Sequence, residues 1–270
     1  MITAGNVSKL CVADDVYGVT QLHGVVYMVC RRCSTILRFN ATTHQQMQTD
    51  IDVKGLEWPQ DIAACEQMSQ LYVADFARVF RVSVDDADTR IQQWLPKSPS
   101  DAFVPRSLSV TSTRLLVTSR DNSPLIQFDS DGDELRRVQL PRDMTPHHAV
   151  ESPTGTFIVN NHYAPLKQGQ VVEVNTGGEV LRQFNGSRLR SLGHAPHVAV
   201  DSHGNVFVAD LDNRRILLLD AHLSLRRVIV GEHRLNYTGP RRLCYREQSG
   251  QLLVALYNSA VVAVFDVLCR

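Results

Sequence analysis

The segment APHVAVDSHGNVFVADLDNRRILLLD, residues 195–220, decides the fold. It contains short apolar runs at 197–200, 206–209 and 216–219, and the gaps between them are rich in Asp, Asn, Gly and Arg. Such runs are typical of antiparallel strands joined by tight turns, whereas a helix needs a longer stretch with 3.6-residue spacing. The segment therefore predicts a three-stranded meander, to which LRRVIV at 225–230 adds a fourth strand.

The same pattern recurs along the chain. The second strand, VFVAD, has counterparts in VVYMV, LYVAD, LLVTS, FIVNN and LLVAL. Five of the six first strands follow a proline, at Pro59, Pro105, Pro146, Pro196 and Pro240, and Val16 takes this place in the first unit. One small sheet buries too little surface to fold alone, so repetition at this period indicates an array of sheets. We predict an all-β fold, a six-bladed β-propeller of four-stranded antiparallel blades, as one domain over residues 1–270.

The two ends of the chain predict how the ring closes. Residues 7–13, VSKLCVA, form an extra strand before the first unit, and the sixth unit ends after its third strand. An open array would leave unpaired strand edges exposed to other chains. We therefore expect the N-terminal strand to complete the last blade.

Composition excludes several classes of protein. The 28 basic and 28 acidic side chains balance, which argues against a general polyanion binder. The sequence has neither an apolar run of membrane-spanning length nor a basic and apolar leader. It also lacks the phosphate-loop, HExxH and GxSxG motifs. We expect a cytoplasmic, monomeric protein that has no cofactor and no contact with membranes.

The residues PHVAV, GNVFVAD and NRRI within 196–216 resemble the NHL repeat. That resemblance extends over the whole chain and implies a six-bladed propeller of the kind that ends many tripartite-motif ubiquitin ligases. It implies recognition of a protein partner, like that of the substrate-binding propeller of those ligases, with RNA binding through an Arg-rich face as the alternative. The sequence has no RING, B-box or coiled-coil segment, so ligase activity does not carry over to this chain.

A candidate binding ring follows from the same resemblance. In such propellers each first strand begins beside the central channel, so the residue after each proline faces one opening. These residues are Tyr17, Gln60, Arg106, His147, His197 and Arg241. Arginine and histidine without a carboxylate favour an anionic group, because guanidinium geometry matches carboxylate and phosphate. We expect binding, and no catalysis, at this ring.

A second basic surface is expected in the later units. Residues 182–246 contain eleven arginines against five acidic residues. The arginines that we assign to this surface are Arg188, Arg190, Arg214 and Arg242.

The histidines raise a third alternative, a metal-dependent lyase or hydrolase. His147 and His197 are the only two histidines of the predicted ring, whereas a catalytic zinc site needs three protein ligands and an open position. His148 is expected to point elsewhere, because consecutive strand residues alternate between faces. The sequence therefore predicts no metal site.

Overall fold

The computed structural model describes residues 8–85, 88–97, 103–120, 124–163, 168–187, 190–194, 197–235 and 238–267. Its regular structure is almost entirely β, with short 3₁₀ turns such as Glu66–Met68, Glu232–Leu235 and Glu247–Ser249. Within these ranges, no helix is long and apolar enough to cross a bilayer.

The strands form six four-stranded antiparallel sheets arranged as blades. The first strand that the structure describes is β1 (Ser8–Cys11). Blade 1 contains β2 (Val16–Leu22), β3 (Val25–Cys30), β4 (Thr35–Asn40) and β5 (Ile51–Asp52). Blade 2 contains β6 (Asp61–Cys65), β7 (Gln70–Ala74), β8 (Val79–Asp85) and β9 (Asp88–Leu95). Blade 3 contains β10 (Pro105–Thr111), β11 (Arg114–Ser119), β12 (Leu125–Phe128) and β13 (Glu134–Val138).

The second half of the chain repeats this order. Blade 4 contains β14 (Met144–Glu151), β15 (Phe157–Tyr163), β16 (Gln168–Val174) and β17 (Val180–Phe184). A small hairpin of β18 (Gly186–Ser187) and β19 (Arg190–Ser191) follows. Blade 5 contains β20 (His197–Val200), β21 (Val206–Asp210), β22 (Arg215–Leu219) and β23 (Leu225–Val230). Blade 6 contains β24 (Pro240–Arg246), β25 (Gln251–Leu256) and β26 (Val261–Asp266).

The N-terminal strand closes the ring, as the sequence predicted. In blade 6 the strand order is β1-β26-β25-β24, and β1 pairs antiparallel with β26 from Ser8 opposite Val264 to Cys11 opposite Val261. Leu10 of β1 is buried among residues of blades 6 and 1. The first and last segments of the chain are thus neighbours in one sheet.

The core lies between the blades. Its buried apolar residues fall into six clusters, and each cluster joins two neighbouring blades, including the sixth and the first. Second strands such as β21 and β25 and third strands such as β12 and β22 are almost completely buried. Because both faces of these strands pack on neighbours, they read as continuous apolar runs rather than alternating ones.

Polar side chains fix the turns between third and fourth strands. Asn40, Asp129, Asn175 and Asp220 each accept backbone N–H groups from residues that follow in the turn. Short side chains of this type favour turns because they replace backbone hydrogen bonds locally. The turn chemistry therefore repeats with the blades.

Candidate functional site

One end of the central channel opens at the mouth face, which we define as the face where the first strand of each blade begins. A cavity of about 130 Å³, the mouth cavity, lies there. It is lined by Gln60, Arg106, Arg120, His147, His194, Leu211, Arg241, Arg242 and Tyr257. Four residues of the predicted ring, Gln60, Arg106, His147 and Arg241, thus line one cavity.

A β-bulge positions several of these side chains. In blade 3 Pro105 pairs with Ser119 and Ser107 with Thr118, so Arg106 has no partner of its own. The first strands of blades 1, 4 and 6 skip one residue in the same way, at Tyr17, His147 and Arg241. Bulges often redirect a side chain next to a functional site.

Arg106 lies deep in the mouth cavity. Its Nη2 is 2.8 and 3.0 Å from the two ring nitrogens of His147, and its Nη1 donates to the Pro146 carbonyl at 3.4 Å. Burial lowers the pKa of Arg106 to about 10, and the nearby charges of Arg120 and Arg242 add to this effect. The side chain still carries its charge at neutral pH.

Arg241 lies across the cavity, held by aromatic rings. Its guanidinium is 3.4 Å from the ring centroid of Tyr17 and 5.7 Å from that of Tyr257. Burial and the charge of Arg242 lower the pKa of Arg241, opposed by its interactions with Tyr17 and Tyr257. Within the described part of the chain, its buried Nε–H has no hydrogen-bond acceptor. Tyr17 of the predicted ring therefore acts on the cavity through Arg241.

The sequence interpretation missed Arg120 and His194. Arg120 directly follows β11, at the end of the second strand that faces the mouth, and it donates to Oε1 of Gln60. His194 precedes β20, and its Nε2 lies 3.1 Å from Nδ1 of His147. The sequence would have predicted Arg120 if the residue just after each second strand had also been assigned to the mouth face.

His197 does not lie in the mouth cavity, contrary to the sequence prediction. In blade 5 the described residues of β20 pair with β21 without a register shift, and His197 lies directly opposite Ala209. The equivalent pairs are Ser107 with Thr118 in blade 3 and Arg242 with Ala255 in blade 6. One fewer residue between proline and sheet therefore moves His197 one position deeper into the channel.

At that depth, Asp61, His148, His197 and Arg242 form a buried layer, the plug. Arg242 Nε donates to Asp61 Oδ1 at 3.2 Å, and its Nη2 donates to the Gln60 carbonyl at 3.1 Å. The imidazoles of His148 and His197 stack with centroids 3.6 Å apart. His148 was expected to point away from the channel. Because the bulge adds the unpaired residue His147, the side chains after it point to the opposite faces from those of a regular strand. His148 therefore faces His197.

Gly18 is the residue of blade 1 at the depth of the plug, opposite Val29. A Cβ on Gly18 would lie 2.8 Å from the Ile62 nitrogen and 2.9 Å from Val29 Cγ2, closer than packing allows. Only glycine therefore fits where blades 1 and 2 approach each other.

The polar atoms of the plug bind backbone groups of neighbouring blades. Asp61 accepts the Leu108 N–H at 3.0 Å, His148 Nδ1 the Val198 N–H at 3.4 Å, and His197 Nδ1 the Leu243 N–H at 3.4 Å. Each contact joins one blade to the first strand of the next. The plug therefore ties the blades together around the channel.

Burial keeps both imidazoles neutral. It lowers the pKa of His148 to about 3, an effect strengthened by Arg242, and the hydrogen bond to the Leu108 carbonyl opposes it. Burial also lowers the pKa of His197, and His148 and Arg242 add to the shift. For Asp61, burial raises the carboxyl pKa, while Arg242 and two backbone N–H groups counteract that rise. Its oxygens only accept hydrogen bonds, which suits the ionised form.

A second cavity of about 450 Å³ lies on the other side of the plug. His148 and His197 line it from the plug, whereas Arg242 lines the mouth cavity. Its walls carry hydroxyl groups, among them Thr20, Ser109 and Thr111. The carboxylate of Glu151 there is bound by Arg114 and Gln127. The plug thus separates a mouth cavity lined by arginines from a second cavity whose described lining contains the carboxylates of Glu151 and Asp201 and no arginine or lysine.

The plug also contains three metal-type ligands. Asp61, His148 and His197 each offer one atom, and these atoms lie within 4.8 Å of one another. The predicted pair of His147 and His197 is not formed, because His147 packs on His194 with centroids 4.6 Å apart. A cation among these three side chains would compete with Arg242 for Asp61 and with the backbone N–H groups for the imidazoles. The geometry favours an ion pair over a metal centre.

The second basic surface predicted from the sequence is not continuous. Arg242 is buried in the plug, because it pairs with Asp61 rather than facing solvent. Arg190 in β19 and Arg214 in the turn before β22 are exposed. Arg188 lies outside the described residues. The described arginines of this group therefore do not form one patch with Arg242.

No protein family model and no curated protein matches this sequence. Solved structures do match. A streptogramin B lyase superposes with a TM-score of 0.67 at 10% identity, over 97% of this chain and 98% of that one. Hydrazine synthase of Kuenenia stuttgartiensis gives a TM-score of 0.67 at 13% identity, over 94% and 84%. The β-propeller domain of Myceliophteria thermophila Cps50 (Swd1) gives 0.64 at 12%, over 94% and 84%. At these identities the likeness shows the propeller fold alone.

Proposed function

We propose that this propeller is a non-catalytic recognition module that binds a protein partner at its mouth face. The observation that carries this proposal is the mouth cavity, where Arg106, Arg120 and Arg241 converge and the described lining residues include no carboxylate. Arginines gathered at one opening are suited to an anionic partner. The NHL-like repeat, typical of propellers that bind substrates for tripartite-motif ligases, supports the same function.

The plug favours recognition over catalysis. Asp61, His148 and His197 each accept a hydrogen bond from the backbone of the next blade, and Asp61 also forms an ion pair with Arg242. A general acid or base must reach a substrate proton, and these groups are already engaged in structural contacts. A metal-dependent lyase or hydrolase is therefore the weakest of the three functions considered.

Affinity capture with matched variants tests the proposal. The wild-type propeller, the double variant Arg106→Gln/Arg241→Gln and the control Arg136→Gln are each used to capture proteins from a cell extract. Arg136 lies exposed on β13 of the same blade as Arg106, so its replacement changes charge away from the mouth. We expect specific proteins to bind wild type and the control but to be lost, by tenfold or more, with the double variant. Capture that is identical for all three proteins would refute partner binding at the mouth face.

RNA binding is the second candidate, supported by an arrangement of cations and rings on the same face. Trp58 and Phe76 are 38% and 44% exposed, and their rings contact edge to face with centroids 6.4 Å apart. The guanidinium of Arg32 lies 5.0 Å from the Trp58 centroid and that of Arg120 lies 4.8 Å from the Phe76 centroid. Exposed rings beside arginines are the elements on which single-stranded bases stack.

Salt dependence distinguishes RNA from a protein partner. If RNA is the ligand, affinity for a single-stranded oligonucleotide falls steeply with salt, and Trp58→Ala weakens it by about 1–3 kcal/mol. Fluorescence anisotropy at several salt concentrations measures both effects, with exposed Leu135→Ala on β13 as the control. Absent or salt-independent binding would exclude this candidate.

A further inference from the structure

We infer that the mouth cavity binds one carboxylate of the protein partner, from an acidic side chain or a chain terminus. This inference rests on the proposed function and specifies the chemistry of recognition. A basic surface attracts anions in general, whereas this inference places a single anionic group in the mouth cavity.

The size of the cavity limits what can enter. An apolar cavity of about 150 Å³ holds a molecule the size of benzene. The mouth cavity, at about 130 Å³, therefore accepts one small group on a short stem. A nucleic-acid backbone phosphate carries a sugar on both sides and cannot enter end-on, whereas a carboxylate at the end of a side chain or main chain can. Leu211 and Tyr257 in the wall suit the aliphatic stem.

The charges in the cavity favour an anion. Arg106 and Arg241 lie on first strands and Arg120 directly follows a second strand. The described residues that line the cavity include no carboxylate, and the carboxylate of Asp61 in the plug is paired with Arg242. Arg120 and Arg242 both disfavour the charged form of Arg106, and Arg242 disfavours that of Arg241. An anion between these guanidinium groups relieves their mutual repulsion.

The Nε–H of Arg241 is the donor that we expect to bind the carboxylate. This Nε–H is buried without an acceptor among the residues that the structure describes, and the guanidinium of Arg241 lies 3.4 Å from the centroid of the Tyr17 ring. A buried donor without an acceptor is unfavourable until a ligand supplies one. Since the Tyr17 ring fixes the guanidinium, little side-chain freedom is lost when a carboxylate binds.

The test uses small probes on the whole chain at constant ionic strength. N-acetylglycine supplies a carboxylate on a short stem, N-acetylglycine amide has the same stem without the charge, and inorganic phosphate is a competing anion. Resonances of the arginine Nε–H groups, recorded by NMR on ¹⁵N-labelled protein, report binding at Arg106 and Arg241 directly. We expect N-acetylglycine to shift both resonances saturably and the amide to shift neither.

Variants locate the site. Arg241→Gln is expected to weaken N-acetylglycine binding about tenfold or more, since a hydrogen bond to a charged group is lost. Arg120→Gln provides a second test because Arg120 is exposed and its replacement leaves the core unchanged. Arg136→Gln should bind as wild type does.

Several results would overturn the inference: equal shifts with the amide, binding of phosphate but not of N-acetylglycine, or affinity unchanged by both mouth variants. Loss of the inference is distinguishable from loss of the proposed function. If a captured protein depends on the mouth but N-acetylglycine does not bind, only the carboxylate assignment fails. If N-acetylglycine binds and no protein depends on the mouth, only the partner-binding function fails.

Discussion

The side chains of His148 and His197 hold neighbouring blades together and are not placed to act on a substrate. Both imidazoles are buried beside Arg242, and each accepts a backbone N–H from the next blade through Nδ1. A proton on either Nδ1 would break that hydrogen bond and add a charge close to a guanidinium. The plug therefore requires neutral imidazoles.

This requirement predicts that acid destabilises the fold. The pKa of His148 is about 3 in the folded protein, against 6.5 for a free histidine. Between these values the unfolded chain binds the additional proton, so the stability contributed is complete above about pH 6.5 and is lost as the pH falls toward 3. From pH 7 to pH 5 the free energy of unfolding should decrease by about 2 kcal/mol through His148 alone.

Denaturant titrations at pH 5, 6 and 7 measure this dependence. His148→Gln should remove the contribution of His148 and flatten the slope, whereas His222→Gln, at an exposed turn, should keep it. Asp61, whose pKa is raised by burial, acts in the opposite direction at low pH, and it is common to all these proteins. An unchanged slope in His148→Gln would mean that His148 is protonated equally in both states.

The limits of sequence interpretation are visible at the same residues. The rule that the residue after each proline faces the mouth holds where a bulge adds one unpaired residue, as at Arg106 and Arg241. It fails at His197, which pairs directly with Ala209 in the described part of β20 instead of being skipped. A bulge is set by the fit of one strand on its neighbours, and the local sequence around proline contains no separate signal for it.

At the level of elements, β1 is the strand on which ring closure depends. It adds the outermost strand of blade 6, and Leu10 packs into the cluster between blades 6 and 1. Without β1, the edge of β26 would be unpaired and that cluster partly exposed.

Substitution within β1 tests this role. Leu10→Ala should lower the free energy of unfolding by about 2–5 kcal/mol, because a fully buried leucine is truncated. Lys9→Ala, on the exposed face of the same strand, should change it by less than about 0.5 kcal/mol. Both values come from denaturant unfolding at pH 7. Equal stability of the two variants would show that β1 does not pack in the ring.

For the whole molecule, the sequence predicted the architecture well because the fold is repeated six times. Each unit repeats the apolar runs and the turn residues, so an error in one blade is corrected by the others. The closing strand was also predictable, since one extra strand at the start matched one missing strand at the end.

The mouth cavity was less predictable, because its residues come from different blades. Arg120 and Arg241 are 121 positions apart in the sequence, and no local motif relates them. The contact between Arg242 of blade 6 and Asp61 of blade 2 likewise passes over the whole of blade 1. Such contacts depend on the ring geometry, and this geometry follows only after the blades are assembled.

Ring closure by β1 also has a consequence for synthesis on the ribosome. Residues 8–11 leave the exit tunnel long before their partners at 261–264. Until those partners have been synthesised, β1 cannot pair with them, although blades 1 to 5 can already form. Blade 6 can therefore be completed only after its third strand has left the ribosome, and until then the edge of β1 is open to other chains.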